Sequence, residues 1–93
     1  MVVGLLTLEV FFPYARSLKD KRHSLKGFKD RVRSRHNVSL AEVEFQDKWQ
    51  RTRIGVAAVN SSRAVVEELL TRILREAEGT VGGTIVEHRI EYF

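Results

Sequence analysis

The order of its hydrophobic patterns constrains the fold of this 93-residue chain more than any other feature. Four segments alternate apolar and polar residues or hold short runs of β-branched and aromatic residues, which is typical of strands; they are residues 2–12, 37–46, 50–59 and 84–93. Apolar residues recur at helical spacing over residues 18–34, and a second helical stripe follows the third strand and ends near Gly79. The sequence therefore predicts six elements in the order β-α-β-β-α-β.

That order is the split βαβ arrangement of the ferredoxin-like sandwich. Right-handed crossovers then place the first and third strands in the middle of a four-stranded antiparallel sheet, with both helices on one face and the other face open. We therefore expect an α+β, ferredoxin-like fold, formed as a single domain over residues 1–93, since about 100 residues suffice for one core. Ser17, with Asp20 three residues later, is the expected N-cap of the first helix.

The amino-acid composition limits the cellular compartment in which the protein is expected and the kinds of catalysis that it could perform. The chain has no Cys, which excludes disulfides and thiol catalysis and suits a reducing cytoplasm. The apolar run at its start contains Glu9 and has no preceding basic residues, which argues against a signal peptide or a membrane span of about 20 apolar residues. We expect a cytoplasmic protein without a membrane segment.

The first predicted helix carries an unusual concentration of positive charge. From Arg16 to Arg35 the chain has nine Lys or Arg and two Asp, a local charge of +7, although its net charge is only +4. The remaining residues hold seven basic and ten acidic side chains and therefore sum to −3. Like charges so close together repel one another, so the concentration indicates a partner of opposite charge.

A helical projection gathers five cations into one stripe beside the apolar arc; they are Lys19, Arg22, Lys26, Lys29 and Arg33. Lys21 and Arg35 lie at the margins, and Lys21 projects into the apolar arc, where it must either extend along that arc or meet a buried acid. A solvent face laced with ion pairs would alternate charge signs, whereas this stripe has almost no intervening acid. We therefore predict that these seven residues bind a structured RNA or a ribosomal particle; the alternative is a merely solvated helix face.

The predicted open face of the sheet offers a second surface. Its charged members include Glu42 and an expected cross-strand pair of Glu44 with Arg53. A β-bulge is expected near Leu40 and Ala41, because the alternating pattern of that strand changes phase there. An apolar patch on this face suits a second copy of the chain or another protein sheet, and its expected contacts are Leu5, Phe11, Ala57 and Ile85.

Trp49 is the other conspicuous residue, because it stands at a predicted hairpin tip, where a large aromatic side chain is costly to expose. It either packs beneath the hairpin or anchors a partner. Catalysis finds little support: His23, His36 and His88 lie on three different elements, and Glu9 alone does not assemble a divalent-metal site. We expect no enzymatic activity, no metal and no cofactor.

Two stretches, "SLKDKR" at residues 17–22 and "NVSLAEVEFQDKWQRTRIGVAAV" at residues 37–59, resemble the YlxP-like family of small bacterial proteins of unknown function. The resemblance implies a ferredoxin-like fold, no established activity, and a gene often found beside those of translation-initiation and ribosome-maturation factors. That neighbourhood agrees with the RNA connection that the basic helix indicates independently. We therefore predict a non-enzymatic RNA- or ribosome-associated module; the alternative is a homodimeric protein-interaction module that uses the open sheet face.

Overall fold

The computed structural model describes all 93 residues, Met1–Phe93, and contains four strands and two helices. In chain order they are β1 (Val2–Phe11), α1 (Leu18–Arg35), β2 (Ser39–Glu44), β3 (Arg51–Asn60), α2 (Arg63–Thr80) and β4 (Thr84–Tyr92). The strands form one sheet in the order β2-β3-β1-β4, and all three neighbouring pairs are antiparallel. The predicted order of elements and the ferredoxin-like α+β fold are confirmed.

Both helices begin at serine caps. Ser17 Oγ accepts a hydrogen bond of 3.1 Å from the backbone N–H of Asp20, and Asp20 Oδ2 accepts one of 2.9 Å from the backbone N–H of Arg16. Ser62 caps α2 in the same way, with the N–H of Val65 as the donor. These bonds satisfy donors that the first turn of a helix leaves free, and the predicted N-cap at Ser17 is confirmed.

The core lies between the sheet and the two helices, which cover the same face. Alternate residues of the central strands β1 and β3 point into it, and each helix adds one apolar stripe. The completely buried members of this core are Leu6, Leu8, Val10, Phe28, Val56, Val66, Leu70, Ile73 and Ala77. The opposite face of the sheet carries no helix. Neither helix combines the length and the apolar composition that crossing a membrane requires.

Two β-bulges decide which side chains the outer strands turn toward the helices. In β2 the register with β3 shifts between Glu42 and Glu44, so the bulge lies at Val43, and the predicted position near Leu40 and Ala41 is wrong. In β4 the register with β1 shifts so that Val86 has no partner. Because side chains alternate between the two faces of a strand, one inserted residue reverses the alternation beyond it.

Each bulge overturns one expectation about the open face. Glu42 lies on the helix side of the sheet, where its carboxylate accepts a hydrogen bond from the hydroxyl of the buried Thr52. Ile85 is not part of the open apolar patch, because it packs against the hydrophobic core. The sequence pattern therefore assigned the wrong face of the sheet to the β2 residues between the predicted and the observed bulge, and to the β4 residues before its bulge.

Candidate nucleic-acid interface on the first helix

α1 turns its apolar arc toward the sheet and α2, and it turns a row of cations toward solvent. Four of the predicted cations lie on that outer side: Lys19, Arg22 and Lys26, which are exposed, and Lys29, which is half-buried. We call these four residues the outer stripe. From Lys19 to Lys29 the helix rises by about 15 Å. The structure therefore places the central part of the predicted binding surface on one accessible side of the helix.

Lys21, predicted as a contact at the margin of the stripe, is instead completely buried. Its ammonium group lies 3.0 Å from Glu42 Oε2. It also donates to three backbone carbonyls, those of Phe45 (2.7 Å), Gln46 (3.4 Å) and Arg51 (3.3 Å). A buried ammonium is tolerated only when such partners compensate its charge. The prediction that Lys21 contacts RNA is therefore wrong, and the expectation that it could meet a buried acid is confirmed.

The two arginines at the C-terminal end of α1 differ in their hydrogen bonds to the rest of the chain. Arg33 Nη2 donates a hydrogen bond of 2.7 Å to the backbone carbonyl of Leu40 in β2, so part of its guanidinium group serves the fold. Its other donors remain available, because a guanidinium group carries five. Arg35 is exposed. Arg33 therefore extends the outer stripe with part of its capacity, whereas Arg35 lies about 160° from Arg33 around the helix axis and outside the stripe.

One acid interrupts the outer stripe. Asp30 Oδ2 lies 2.6 Å from Lys26 Nζ, and this ammonium group holds the pKa of the Asp30 carboxyl below its ordinary value of 3.8. Both side chains are more than half exposed, so water screens the pair and little free energy opposes its exchange for another anion. The other three cations, Lys19, Arg22 and Lys29, have no carboxylate within ion-pair distance.

The loop between β2 and β3 is fixed at the end of the molecule where α1 begins. Lys21 binds both sides of this loop through the carbonyls named above. Gln50 Nε2 donates to the carbonyls of Pro13 (3.1 Å) and Ala15 (3.3 Å), which immediately precede α1. Phe45 opens the loop with a φ of 65°, in the left-handed region that non-glycine residues seldom adopt. These contacts hold residues 45–50 beside the start of α1.

Trp49 lies on this loop with 55% of its surface exposed, so it does not pack beneath the hairpin. A shallow depression of about 410 Å³ beside it is lined by Asp47, Lys48, Trp49, Gln50 and Arg51. Tyr14, which is 89% exposed, stands in the segment that Gln50 binds. One end of the molecule therefore presents two exposed aromatic side chains near the start of the outer stripe.

The open face carries a charged cluster that the sequence revealed only in part. The predicted pair of Arg53 with Glu44 is confirmed, at 2.8 Å. Sequence reasoning missed Glu9 as a partner; its carboxylate oxygens lie 2.8 Å from Arg53 and 2.9 Å from Arg51. Hydrogen bonds from Arg53 and then Arg51 hold the pKa of Glu9 below its ordinary value of 4.5, and the bond with Glu9 raises the pKa of Arg53. Glu9 stands opposite Arg53 in the β1–β3 register, so a fixed register was the missing signal.

The apolar part of the open face is smaller than the sequence predicted. Leu5 and Ala57 stand opposite each other in β1 and β3, and both are half-buried. Phe11 is 41% exposed, and Val59, which belongs to the same predicted patch, is 63% exposed. The structure therefore brings Leu5 and Ala57 together, whereas Ile85 is turned inward by the bulge in β4.

The three histidines do not converge. His36 caps α1, and its Nε2 lies 3.1 Å from both carboxylate oxygens of Glu76 in α2. His23 and His88 are exposed on other parts of the surface. No group of three or more His, Asp or Glu side chains is placed to hold a metal ion. The chemistry that the fold does gather is a row of cations suited to binding an anion.

Comparison with known proteins gives three findings. A family model described as a protein of unknown function, DUF503, matches residues 3–90. The uncharacterized protein YlxP of Bacillus subtilis (strain 168) is 45% identical over 73 residues, which cover 78% of this chain and 79% of that protein. The crystal structure of At3g17210 from Arabidopsis thaliana covers 98% of this chain and 92% of its own, with a TM-score of 0.49 and 16% identity.

Proposed function

Because the chain belongs to the DUF503 family of unknown function, as its YlxP-like resemblance predicted, we propose a function from its own surface. The chain is a non-enzymatic module of the cytoplasm that binds structured RNA, free or in a ribosomal particle. Phosphate contacts along α1 provide the binding. The outer stripe makes the central contacts, and Arg33 extends them toward the C-terminal end of the helix.

This proposal rests on the observation that the cations of the outer stripe have few partners within the chain. Three of its four cations have no carboxylate partner, and the fourth pairs only with a solvent-exposed acid. The core and the helix caps are built from other side chains. Mutual repulsion among neighbouring cations disfavours the folded helix, so a row of this kind is explained by an external polyanion. A nucleic-acid backbone supplies closely spaced negative charges along one direction, as the outer stripe requires.

The exposed aromatic residues support RNA over an acidic protein as that polyanion. A base can stack on an exposed aromatic ring while neighbouring phosphates bind cations, and stacking of one base contributes about 1–3 kcal/mol. Trp49 is exposed and held near the start of the outer stripe by the contacts of Lys21 and Gln50. We therefore assign to Trp49 the stacking of an unpaired base at one end of the phosphate path.

Binding of bulk ribosomal RNA by the full chain over a salt series tests the proposal. The four contacts of the outer stripe together with that of Arg33 imply a slope of roughly −3.5 to −4.5 in log K against log salt, since each contributes about −0.7 to −0.9. Arg22→Ala should make the slope shallower by about 0.7–0.9, because one phosphate contact is lost. It should not alter the preference among RNA sequences, because phosphate contacts position a nucleic acid and do not specify its bases.

Arg72→Ala on α2 is the matched control, since Arg72 is also exposed on a helix and its loss changes the net charge equally. The proposal requires this variant to bind with the parent's slope. Equal changes in the two variants would assign the affinity to net charge alone. An absence of measurable affinity for ribosomal RNA at ~0.1 M salt would contradict the proposal outright.

A further inference from the structure

The two edge strands of the sheet differ in how well they are protected. β2 is short and is broken by the bulge at Val43. The carbonyl of Leu40, which would be free to pair with an added strand, accepts the hydrogen bond from Arg33. Bulges and covered edges are the means by which proteins prevent strand addition. The β2 edge is therefore closed.

The β4 edge has no such protection beyond its bulge. Val3 and Phe93 exchange two backbone hydrogen bonds, of 3.0 and 2.8 Å. Because such pairs alternate along an antiparallel ladder, His88, Ile90 and Tyr92 point their N–H and C=O groups away from β1. No side chain or loop backbone bonds to these outward groups. Residues 87–93 thus leave an open edge about 23 Å long.

We propose that a second copy of this chain pairs antiparallel with β4, joining two four-stranded sheets into one of eight strands. The two-fold axis passes through Ile90, so that residues 87–93 of one copy face residues 93–87 of the other. This association is independent of RNA binding and uses a surface other than the open face of the sheet.

The charges of β4 favour this register. Arg89 of each copy stands opposite Glu91 of the other, so two ion pairs form across the axis on the open-face side. Within one copy the same two side chains already approach to 3.2 Å, and both are exposed enough to turn toward a second copy. All seven residues of the straight segment then have a partner.

Neighbouring registers are less favourable. An axis at Arg89 would set Arg89 against its own copy and Glu87 against Glu91, so like charges would oppose each other throughout. An axis at His88 would pair Glu87 with Arg89, but it would bring Val86 of the bulge into the ladder. Only the axis at Ile90 combines opposite charges with an uninterrupted segment.

The apolar side chains of β4 agree with the same axis. Ile90 of one copy faces Ile90 of the other, and Tyr92 faces His88. This pairing covers Ile90 and Tyr92, which are only partly buried at the edge of the core. A face-to-face dimer is less favourable, because the open face holds the charged cluster around Glu9, which such a dimer would remove from water.

Disulfide trapping tests the register, since the chain has no cysteine of its own. Ile90→Cys places two sulfur atoms across the axis, where opposing Cα atoms of a hydrogen-bonded pair lie about 5.5 Å apart, within disulfide range. Glu87→Cys is the matched control, because its two copies would lie about 20 Å apart along the strands. Oxidation should yield a covalent dimer for Ile90→Cys alone. Equal trapping of both variants, or of neither, overturns the register.

Sedimentation equilibrium of the full chain at high micromolar concentration tests the association itself. The parent should be a dimer. His88→Pro should be a folded monomer, because it removes an outward N–H and leaves the hydrogen bonds to β1 intact.

A charge exchange provides a second measurement if His88→Pro fails to fold. Arg89→Glu should lower the association constant about tenfold by opposing like charges, and the further change Glu91→Arg should restore it. A monomeric parent overturns the proposal. A dimer whose association constant is unchanged by both His88→Pro and Arg89→Glu also overturns the proposal, because this result is expected of dimerisation through the open face.

Discussion

Lys21 and Lys29 carry the same side chain on the same helix, yet their surroundings are opposite. Lys21 is completely buried against Glu42 and three backbone carbonyls. Lys29 is half-buried and has no carboxylate partner. Their positions differ by about 80° around the helix axis, which is enough to place one in the core and the other at the surface. The positive charge of α1 therefore comes from two kinds of cation: Lys21 stabilises the fold, whereas Lys29 has no ion-pair partner within the chain.

The comparison separates what holds the fold from what remains available for binding. Lys21 ties α1 to the loop of residues 45–50, which carries Trp49, and thereby positions that loop at the start of the helix. The outer stripe contacts neither the core nor the loop through any ion pair. Substitutions should therefore change stability at Lys21 and RNA affinity at the outer stripe, with little exchange between the two effects.

Lys21→Met should have the largest effect on the fold. It leaves the Glu42 carboxylate and three carbonyls without their shared donor, and we expect the free energy of unfolding to fall by about 3 kcal/mol. Chemical denaturation measures this change. Adding Glu42→Leu should recover much of the loss, because it removes the unpaired charge. If Lys21→Met were as stable as the parent, the claim that Lys21 stabilises the fold would be wrong.

Trp49→Ala should lower the affinity for ribosomal RNA roughly tenfold, since stacking of one base contributes about 1–3 kcal/mol. The free energy of unfolding should change by no more than about 0.5 kcal/mol, as is usual for surface positions. Fluorescence anisotropy of labelled RNA and denaturation of the protein measure the two quantities. Trp49→Phe should keep most of the affinity. A large loss of stability with unchanged affinity would assign Trp49 to packing.

Glu9 on the open face predicts a pH dependence of stability. Its folded-state pKa lies below the ordinary value of 4.5, because Arg53 and Arg51 favour the carboxylate. Its stabilising contribution is therefore present above about pH 4.5 and is lost as the pH falls through the lowered pKa. The parent should be more stable than Glu9→Gln near pH 7, and this difference should shrink near pH 3. A difference independent of pH would show that the ion pairs do not stabilise the fold.

Lys29→Met should have the smallest effect on stability and is the direct counterpart of Lys21→Met. We expect a change within about 0.5 kcal/mol, and stabilisation is as consistent with the account as a small loss, since repulsion in the outer stripe is relieved. The same denaturation measurement applies. A loss comparable to that of Lys21→Met would show that the outer stripe serves the fold.

The sequence was sufficient for the parts of the molecule that depend on local patterns. The element order follows from hydrophobic periodicity, and the cap at Ser17 follows from local hydrogen-bonding chemistry. The inward direction of Lys21 follows from helical geometry alone. These features need no knowledge of how distant segments pair.

The parts that failed depend on register between strands. A change of phase in β2 indicates a bulge but does not locate it, so Glu42 was expected on the open face and its contact with Lys21 could not be foreseen. In β4 the bulge at Val86 has no clear local pattern, and Ile85 was therefore placed on the wrong side. The pairing of Glu9 with two arginines likewise required the β1–β3 register.

The most direct test of the account compares two double charge reversals that lower the net charge equally. Lys26→Glu with Lys29→Glu alters the outer stripe, and Arg72→Glu with Arg75→Glu alters the exposed side of α2. Binding to ribosomal RNA is measured for both at ~0.1 M salt, where charges separated by more than about 10 Å are largely screened. The account predicts that the first variant loses measurable binding while the second keeps most of the parent's affinity. An outer-stripe variant that binds as well as the parent, or equal losses in both variants, would contradict it.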